Sequence, residues 1–223
     1  MTAHAVHTPF PFTPLRLMAK PKLSVDDIYP ALFDAILEQR IVPASRFTEE
    51  SLAQDFGVSR SVIRRVLARL SQQQVIILRP NHRAQVAAPN AQDTRQILEA
   101  RRLTEATVVQ LVCARAKSAE VRQLRELIAR ARECLDRNQR GSAIRLSGEF
   151  HLQLAAIAGN APLAQFLNSL VPLTSLIITQ YKGSYCAWQE HAGIVAAVER
   201  GDEGNAVSLM IQHLDHLKAK LLH

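Results

Sequence analysis

Six arginines, Arg60, Arg64, Arg65, Arg69, Arg79 and Arg83, fall between Ser59 and Arg83 with no aspartate or glutamate among them. Guanidinium groups at that density build a positive field that nothing in the same stretch neutralises, and such a field suits phosphate. A guanidinium is also a planar fork of donors able to grip the edge of a base. The plainer alternative, a solvated helix hairpin whose arginines pair with neighbouring acids, needs acids that this stretch lacks.

The elements that must position these arginines are legible in TEESLAQDFGVSRSVIRRVLARL, residues 48–70. Leu52, Ala53 and Phe56 give a first short helix its apolar face, and Gly57 stands where that helix needs a residue tolerant of positive φ. Ser59 has the chemistry of an N-cap. Val62, Ile63, Val66, Leu67 and Leu70 then recur at three- and four-residue spacing and form one buried face. Arg60, Ser61, Arg64, Arg65 and Arg69 are left pointing outward. This is a helix-turn-helix, which presents its second helix to the major groove of duplex DNA.

Around it, Ile28, Leu32, Phe33, Ile36 and Leu37 predict a helix over residues 24–39, with Ser24 as N-cap and Asp27 as a rival because Pro30 suits a first turn better than an interior. VIIL (75–78) and AQVAA (84–88) read as a two-stranded ribbon around RPNHR, so that Asn81, His82 and Arg83 form the tip of a wing. A winged helix is thus expected over residues 24–88, with a linker at 89–92. Residues 1–23 hold four of the ten prolines and read as a flexible arm; Arg16, Lys20 and Lys22 in it either brush phosphates or belong to an inert tail.

From residue 93 to 223, β-like alternation stops and apolar residues recur at helical spacing. An all-helical domain is expected, with helices near 92–117, 119–138, 142–158, 161–180, 185–200 and 203–221 and breaks at Gly141, Gly159, Lys182-Gly183 and Gly201. The fold class is therefore mostly α: a winged helix-turn-helix followed by a helical bundle. At 223 residues and 48% hydrophobic, the chain is long enough for both cores, and a formal charge of +7 favours an acidic partner. Cys113, Cys134 and Cys186 are an odd number without CxxC spacing, which argues against a disulfide framework or a zinc finger and for a reducing cytoplasm. No stretch reaches the roughly 18 uninterrupted apolar residues of a membrane span, and the N-terminus lacks a signal-peptide pattern.

Taken together, these residues resemble the GntR superfamily of bacterial transcription regulators, in its FadR-like branch with an FCD effector domain. LAQDFGVSRSVIRRVLARL is similar to that superfamily's helix-turn-helix in register, while RRLTEA, Phe150-His151, AGN at 158–160, HAGIVAAVERGD at 191–202 and His213 match successive FCD landmarks. Six helices suggest the shorter, VanR-like variant. The chain departs from the pattern in having Arg40 for a glycine before the helix-turn-helix, Ile63-Arg64-Arg65 for VRE, and Asn81-His82-Arg83 for a glycine-containing wing tip. Of these replacements, Asn81 is the residue that adopts positive φ most readily.

The resemblance implies a metal site at His151, His191 and His213, each on its own predicted helix, facing an effector cavity. The family carboxylate four residues before the first histidine is Ser147 here, and Glu149, on another helix face, is a poor substitute. Three imidazoles suit zinc, nickel or manganese; ordinary helix histidines are the alternative, and His216 reads as surface. Arg101 and Glu105 are either a surface pair or, because the resemblance turns Arg101 toward the cavity, part of a carboxylate-binding site. Tyr181, Tyr185 and Trp188 either line the cavity or simply pack. The implied function is a cytoplasmic, homodimeric, ligand-responsive regulator, a repressor rather than an enzyme. It would bind a short palindromic operator and be released or modulated by a small anionic metabolite, a carboxylate. The rivals are an architectural DNA-binding protein without effector and a metal-dependent hydrolase.

Overall fold

Ser24 opens the first helix, α1 (Val25–Leu37), through a capping box with Asp27, which places Asp27 at the third helical position and not at the cap. Pro30, the sixth residue of the helix, forfeits the bond to the carbonyl of Asp26, which is exposed. The computed structural model describes residues 23–42, 44–181 and 187–222; nearly all of the N-terminal arm, the Lys182-Gly183 break and Tyr185 lie outside these. After α1 come β1 (Arg46–Phe47), α2 (Glu49–Phe56), α3 (Arg60–Gln72), β2 (Ile76–Ile77) and β3 (Ala84–Val86). Thr48 caps α2 with its own box to Ser51, and Gly57 ends it in the left-handed conformation at φ 63°.

The wing departs from the two-stranded ribbon expected. Its sheet has three antiparallel strands in the order β1-β3-β2, with Arg46 opposite Gln85 and Ile76 opposite Val86. β1 is two residues long and too short to alternate, so its sequence carries no strand signal. Leu32, Ile36, Ile63, Val66, Leu70, Val75 and Val86 fill the space between the three helices and this sheet.

The C-terminal bundle comprises α4 (Ala91–Arg115), α5 (Ser118–Asp136), α6 (Arg140–Ile157), α7 (Ala161–Gln180), α8 (Trp188–Glu199) and α9 (Glu203–Leu222). α4 runs through its middle, packed on α6, α7, α8 and α9. By length and mean hydropathy α7 is apolar enough to cross a membrane, although Gln165, Asn168, Ser169, Thr174 and Ser175 interrupt its apolar run as expected. Here most of it from Leu167 to Thr179 is bundle core.

The two domains share one continuous core and a polar joint. Asp34 of α1 accepts from Arg145 Nε at 2.6 Å and from the Ser142 hydroxyl at 2.8 Å, while Arg145 also reaches Glu149 at 2.6 Å. Gln73, buried at the C-cap of α3, accepts from the Tyr29 hydroxyl at 2.8 Å and donates to Asn168 of α7 at 3.3 Å. Gly141, expected to break the chain, lies inside α6; the turn comes at Asn138, at φ 59°. A Cβ on Gly141 would meet Glu38 Cγ at 2.5 Å and the Asp34 carbonyl at 3.1 Å, so its bareness is what lets α6 close on α1.

Glycine to alanine inside a free helix stabilises by about 0.5–1 kcal/mol. Gly141→Ala is expected to reverse that sign, and Gly141→Val to destabilise by about 1–3 kcal/mol, as overpacking does. Denaturation midpoints check both, and a stabilising alanine would mean that the joint is loose.

Candidate nucleic-acid interface and metal centre

Ser59, Arg60, Ser61, Arg64 and Arg65 are exposed at the start of α3, and Asn81, His82 and Arg83 are exposed at the wing tip. Ser59 occupies the N-cap position without making the cap bond; its hydroxyl meets that of Ser61 at 2.9 Å. Arg64 is not the unneutralised cation expected. Its Nε and NH2 donate to the two oxygens of Glu49 at 3.0 and 2.8 Å, and Arg60 NH2 lies 4.0 Å from the same carboxylate. The acid comes from α2, which the turn folds back against α3. Arg69 also departs from the expectation: it stacks 3.8 Å above the Tyr29 ring and pairs with Asp26 at 3.3 Å, fixing α3 on α1. At the wing tip Asn81 takes the positive φ, 59°, that glycine would otherwise supply, and His82 Nδ1 donates to the Pro80 carbonyl at 2.8 Å.

In the bundle, α6, α8 and α9 bring His151, His191 and His213 together, all buried, with one potential ligand atom from each within 4.8 Å of the others. His151 Nδ1 donates to Glu105 at 2.5 Å and His213 Nδ1 to Glu190 at 2.6 Å, which fixes the tautomer that leaves Nε2 with a lone pair. Nε2 of His191 and Nε2 of His213 are buried without a hydrogen-bond partner among the described residues. Burial pushes His151 down to about 4 and, with the neighbouring histidines, holds His191 well below its usual range, so both are neutral at pH 7. Buried imidazoles with orphaned nitrogens and carboxylates behind two of them fit a divalent metal. His216 is exposed, as expected, and shares Glu190 at 2.9 Å.

Arg101 and Glu105 are no surface pair. At 2% and 1% exposure they are inside the bundle, with Arg101 Nε donating to Glu105 at 2.6 Å and Arg101 NH2 left without a partner among the described residues. Burial alone would push the Glu105 carboxyl up, but Arg101 and His151 outweigh it and bring it down to about 2. Arg101, Ser147, Gly148, His151 and Ser175 line a cavity of about 10 Å³. That is room for about one water, so any larger ligand must part the helices. Glu149 is turned away onto Arg145. Tyr181 and Trp188 do not line this cavity; the Trp188 ring instead carries the Arg132 guanidinium at 4.7 Å.

Residues 24–86 match the family model described as bacterial regulatory proteins, gntR family, and residues 96–216, more than half of the chain, match that of the FCD domain. The chain belongs to the GntR family and carries an FCD domain. The Uxu operon regulator of Haemophilus influenzae is 23% identical over 202 residues, covering 78% of this chain and 72% of that one. The uncharacterised HTH-type transcriptional regulator YdhC of Bacillus subtilis is 26% identical over 200 residues, covering 87% and 89%. Among solved structures, E. coli McbR/YncC superposes with a TM-score of 0.72 at 16% identity over 89% of this chain and 97% of that one. A GntR-type transcriptional regulator from Rhodococcus sp. RHA1 gives 0.71 at 20% identity over the same shares. These relatives and families are transcriptional regulators and not enzymes, which removes the hydrolase rival.

Two carboxylates of this GntR-family chain escaped the sequence reading. Glu190 adjoins His191, but nothing in the spacing says that it faces α9 and holds His213 and His216. Glu49 sits 15 residues before Arg64, across a turn whose closure the sequence implies without aligning side chains. For Arg101 and Glu105 a signal did exist: they continue the stripe of Ile97, Leu98, Val108, Val109 and Val112 along α4, where an exposed pair does not belong.

Proposed function

We propose that this GntR-family regulator acts as a homodimeric repressor in the cytoplasm, with α3 and the wing on each half of a short palindromic operator. A small carboxylate metabolite sensed in the FCD domain would modulate that binding. Relatives named for the operons they regulate, such as the Nta operon transcriptional regulator of Aminobacter aminovorans, 27% identical over 128 residues and covering 57% of this chain and 60% of that one, support an operator as the DNA target. The observation that carries the sensing half is the cluster of three buried orphan donors and acceptors, His191 Nε2, His213 Nε2 and Arg101 NH2, within one bundle core. Orphaned buried polar atoms are costly, about 1–3 kcal/mol each, and a ligand set removes the penalty.

On this reading His151, His191 and His213 hold a divalent ion of zinc, nickel or manganese, Glu105 and Glu190 orient two of them from behind, and Arg101 takes the carboxylate. The bound ion would supply a Lewis-acidic point for a ligand oxygen. Ser147 stands where a carboxylate would complete the donor set, so an oxygen from the effector or from water has the open place.

Protein purified without an affinity tag is expected to hold about one equivalent of a transition metal, and Ser147→Asp to bind it more tightly. Less than about a tenth of an equivalent in both proteins would sink the metal reading. An empty wild type beside a filled Ser147→Asp would leave Arg101 and the cavity's polar groups to sense the effector alone. The repressor reading is tested by operator release on addition of carboxylate metabolites.

A further inference from the structure

We propose that Glu49 is the positioning residue that makes Arg64 a reader of guanine, an inference that rests on the reading of α3 as the DNA-facing helix. Arg64 is two-thirds exposed, and a free arginine there would spread over many rotamers. Glu49 removes that freedom. Its two oxygens take the Nε and one NH2 hydrogen along a single edge of the guanidinium, at 3.0 and 2.8 Å. The adjoining end-on edge, NH1 with the second hydrogen of NH2, has no partner among the described residues, and that is the fork whose spacing matches O6 and N7 of guanine in the major groove.

Glu49 is itself held firmly. It is the first residue of α2, directly after the Thr48 capping box, where the positive end of the helix favours a carboxylate. Arg60 NH2, at 4.0 Å, adds a second cation. The carboxyl accordingly stays below the usual carboxylate range, chiefly through the Arg64 hydrogen bonds, and is ionised at any pH where DNA is bound.

A carboxylate on this face repels the phosphate backbone and so works against general affinity. A link that merely tied α2 to α3 could use a neutral pair and avoid that repulsion. The charge earns its place only if it improves discrimination. Glu49 therefore exchanges some sequence-independent attraction for a fixed base contact, in which Arg64 supplies the contact and Glu49 its aim.

The test is selection from a randomised duplex DNA library with the full-length protein, comparing wild type with Glu49→Gln, Glu49→Asp and Arg64→Lys. Wild type is expected to enrich an inverted repeat with one invariant G·C pair in each half. Glu49→Gln should lower the preference at that pair by about 10-fold or more while binding to unselected DNA tightens. Arg64→Lys, which cannot form the fork, should lose the same pair, and Glu49→Asp should keep part of it. A Glu49→Gln preference equal to wild type would overturn the proposal, as would a uniform weakening on all sequences, the mark of a purely structural link. If wild type enriches no sequence at all, the assignment of α3 as the reader fails first and the proposal goes with it.

Discussion

Glu105→Ala is expected to destabilise the FCD domain by about 3–5 kcal/mol, the range for removing one partner of a buried ion pair. The change strands Arg101, 2% exposed, as a cation with no counter-charge, and it also removes the acceptor that fixes His151. Two further variants separate these effects. Glu105→Gln keeps the shape and a hydrogen-bond acceptor and should lower metal affinity by roughly 10- to 100-fold, as loss of a carboxylate behind a ligand does. Arg101→Leu combined with Glu105→Leu removes both charges and should recover much of the stability. Trp188 is the only tryptophan in the chain and lies in this domain, so its fluorescence during denaturation of chelated protein follows unfolding around α8. A Glu105→Ala loss below about 1 kcal/mol, the scale of an exposed pair, would mean that water reaches Arg101.

Arg64→Ala is expected to abolish specific operator recognition while leaving the fold intact. A bidentate base contact is worth about 1–3 kcal/mol of discrimination, and the proposed dimer would form it twice, so the two halves of its operator together would lose about 2–6 kcal/mol. The side chain is 66% exposed and supports no core, so the denaturation midpoint should barely move. Arg60→Ala should reduce affinity less and more evenly across sequences, since Arg60 stands 4.0 Å from Glu49 and is not clamped by it. Equal gel-shift affinity of wild type and Arg64→Ala for the operator would take α3 out of the major groove.

The helix-turn-helix was legible because each of its signals is local. Gly57, the Val62 to Leu70 stripe and the run of arginines all report on neighbours within two turns. The six bundle helices were legible for the same reason, and His151, His191 and His213 were found in register with a family pattern. What the sequence hid is long-range. Glu49 and Arg64 meet across a turn, Asp34 and Arg145 are 111 residues apart, and Glu190 chooses α9 over solvent, none of which periodicity encodes. The size of the cavity was equally hidden, because Ile144, Val171, Ile178 and Leu217 close it through packing from three different helices. Arg101 and Glu105 show the limit from the other side, since their i,i+4 spacing is the same whether the pair is wet or buried and only the stripe around them decides.

The anchoring of Gln73 on Asn168 has a mechanical consequence. It ties the C-terminal end of α3, the end away from DNA in the proposed binding mode, to α7 of the FCD domain, and that tie would serve as a fulcrum. Thirteen residues make an arm of about 20 Å. A turn of roughly ten degrees about that fulcrum would carry Arg60 by about 3.5 Å, close to the 3.4 Å rise of one base step, and Arg64 by about 2.4 Å. Because Arg69 ties α3 to α1, parting α6 and α7 by even a small angle to admit a ligand would tilt the winged helix as a unit, and in the proposed dimer it would shift the two reading heads out of step with their half-sites.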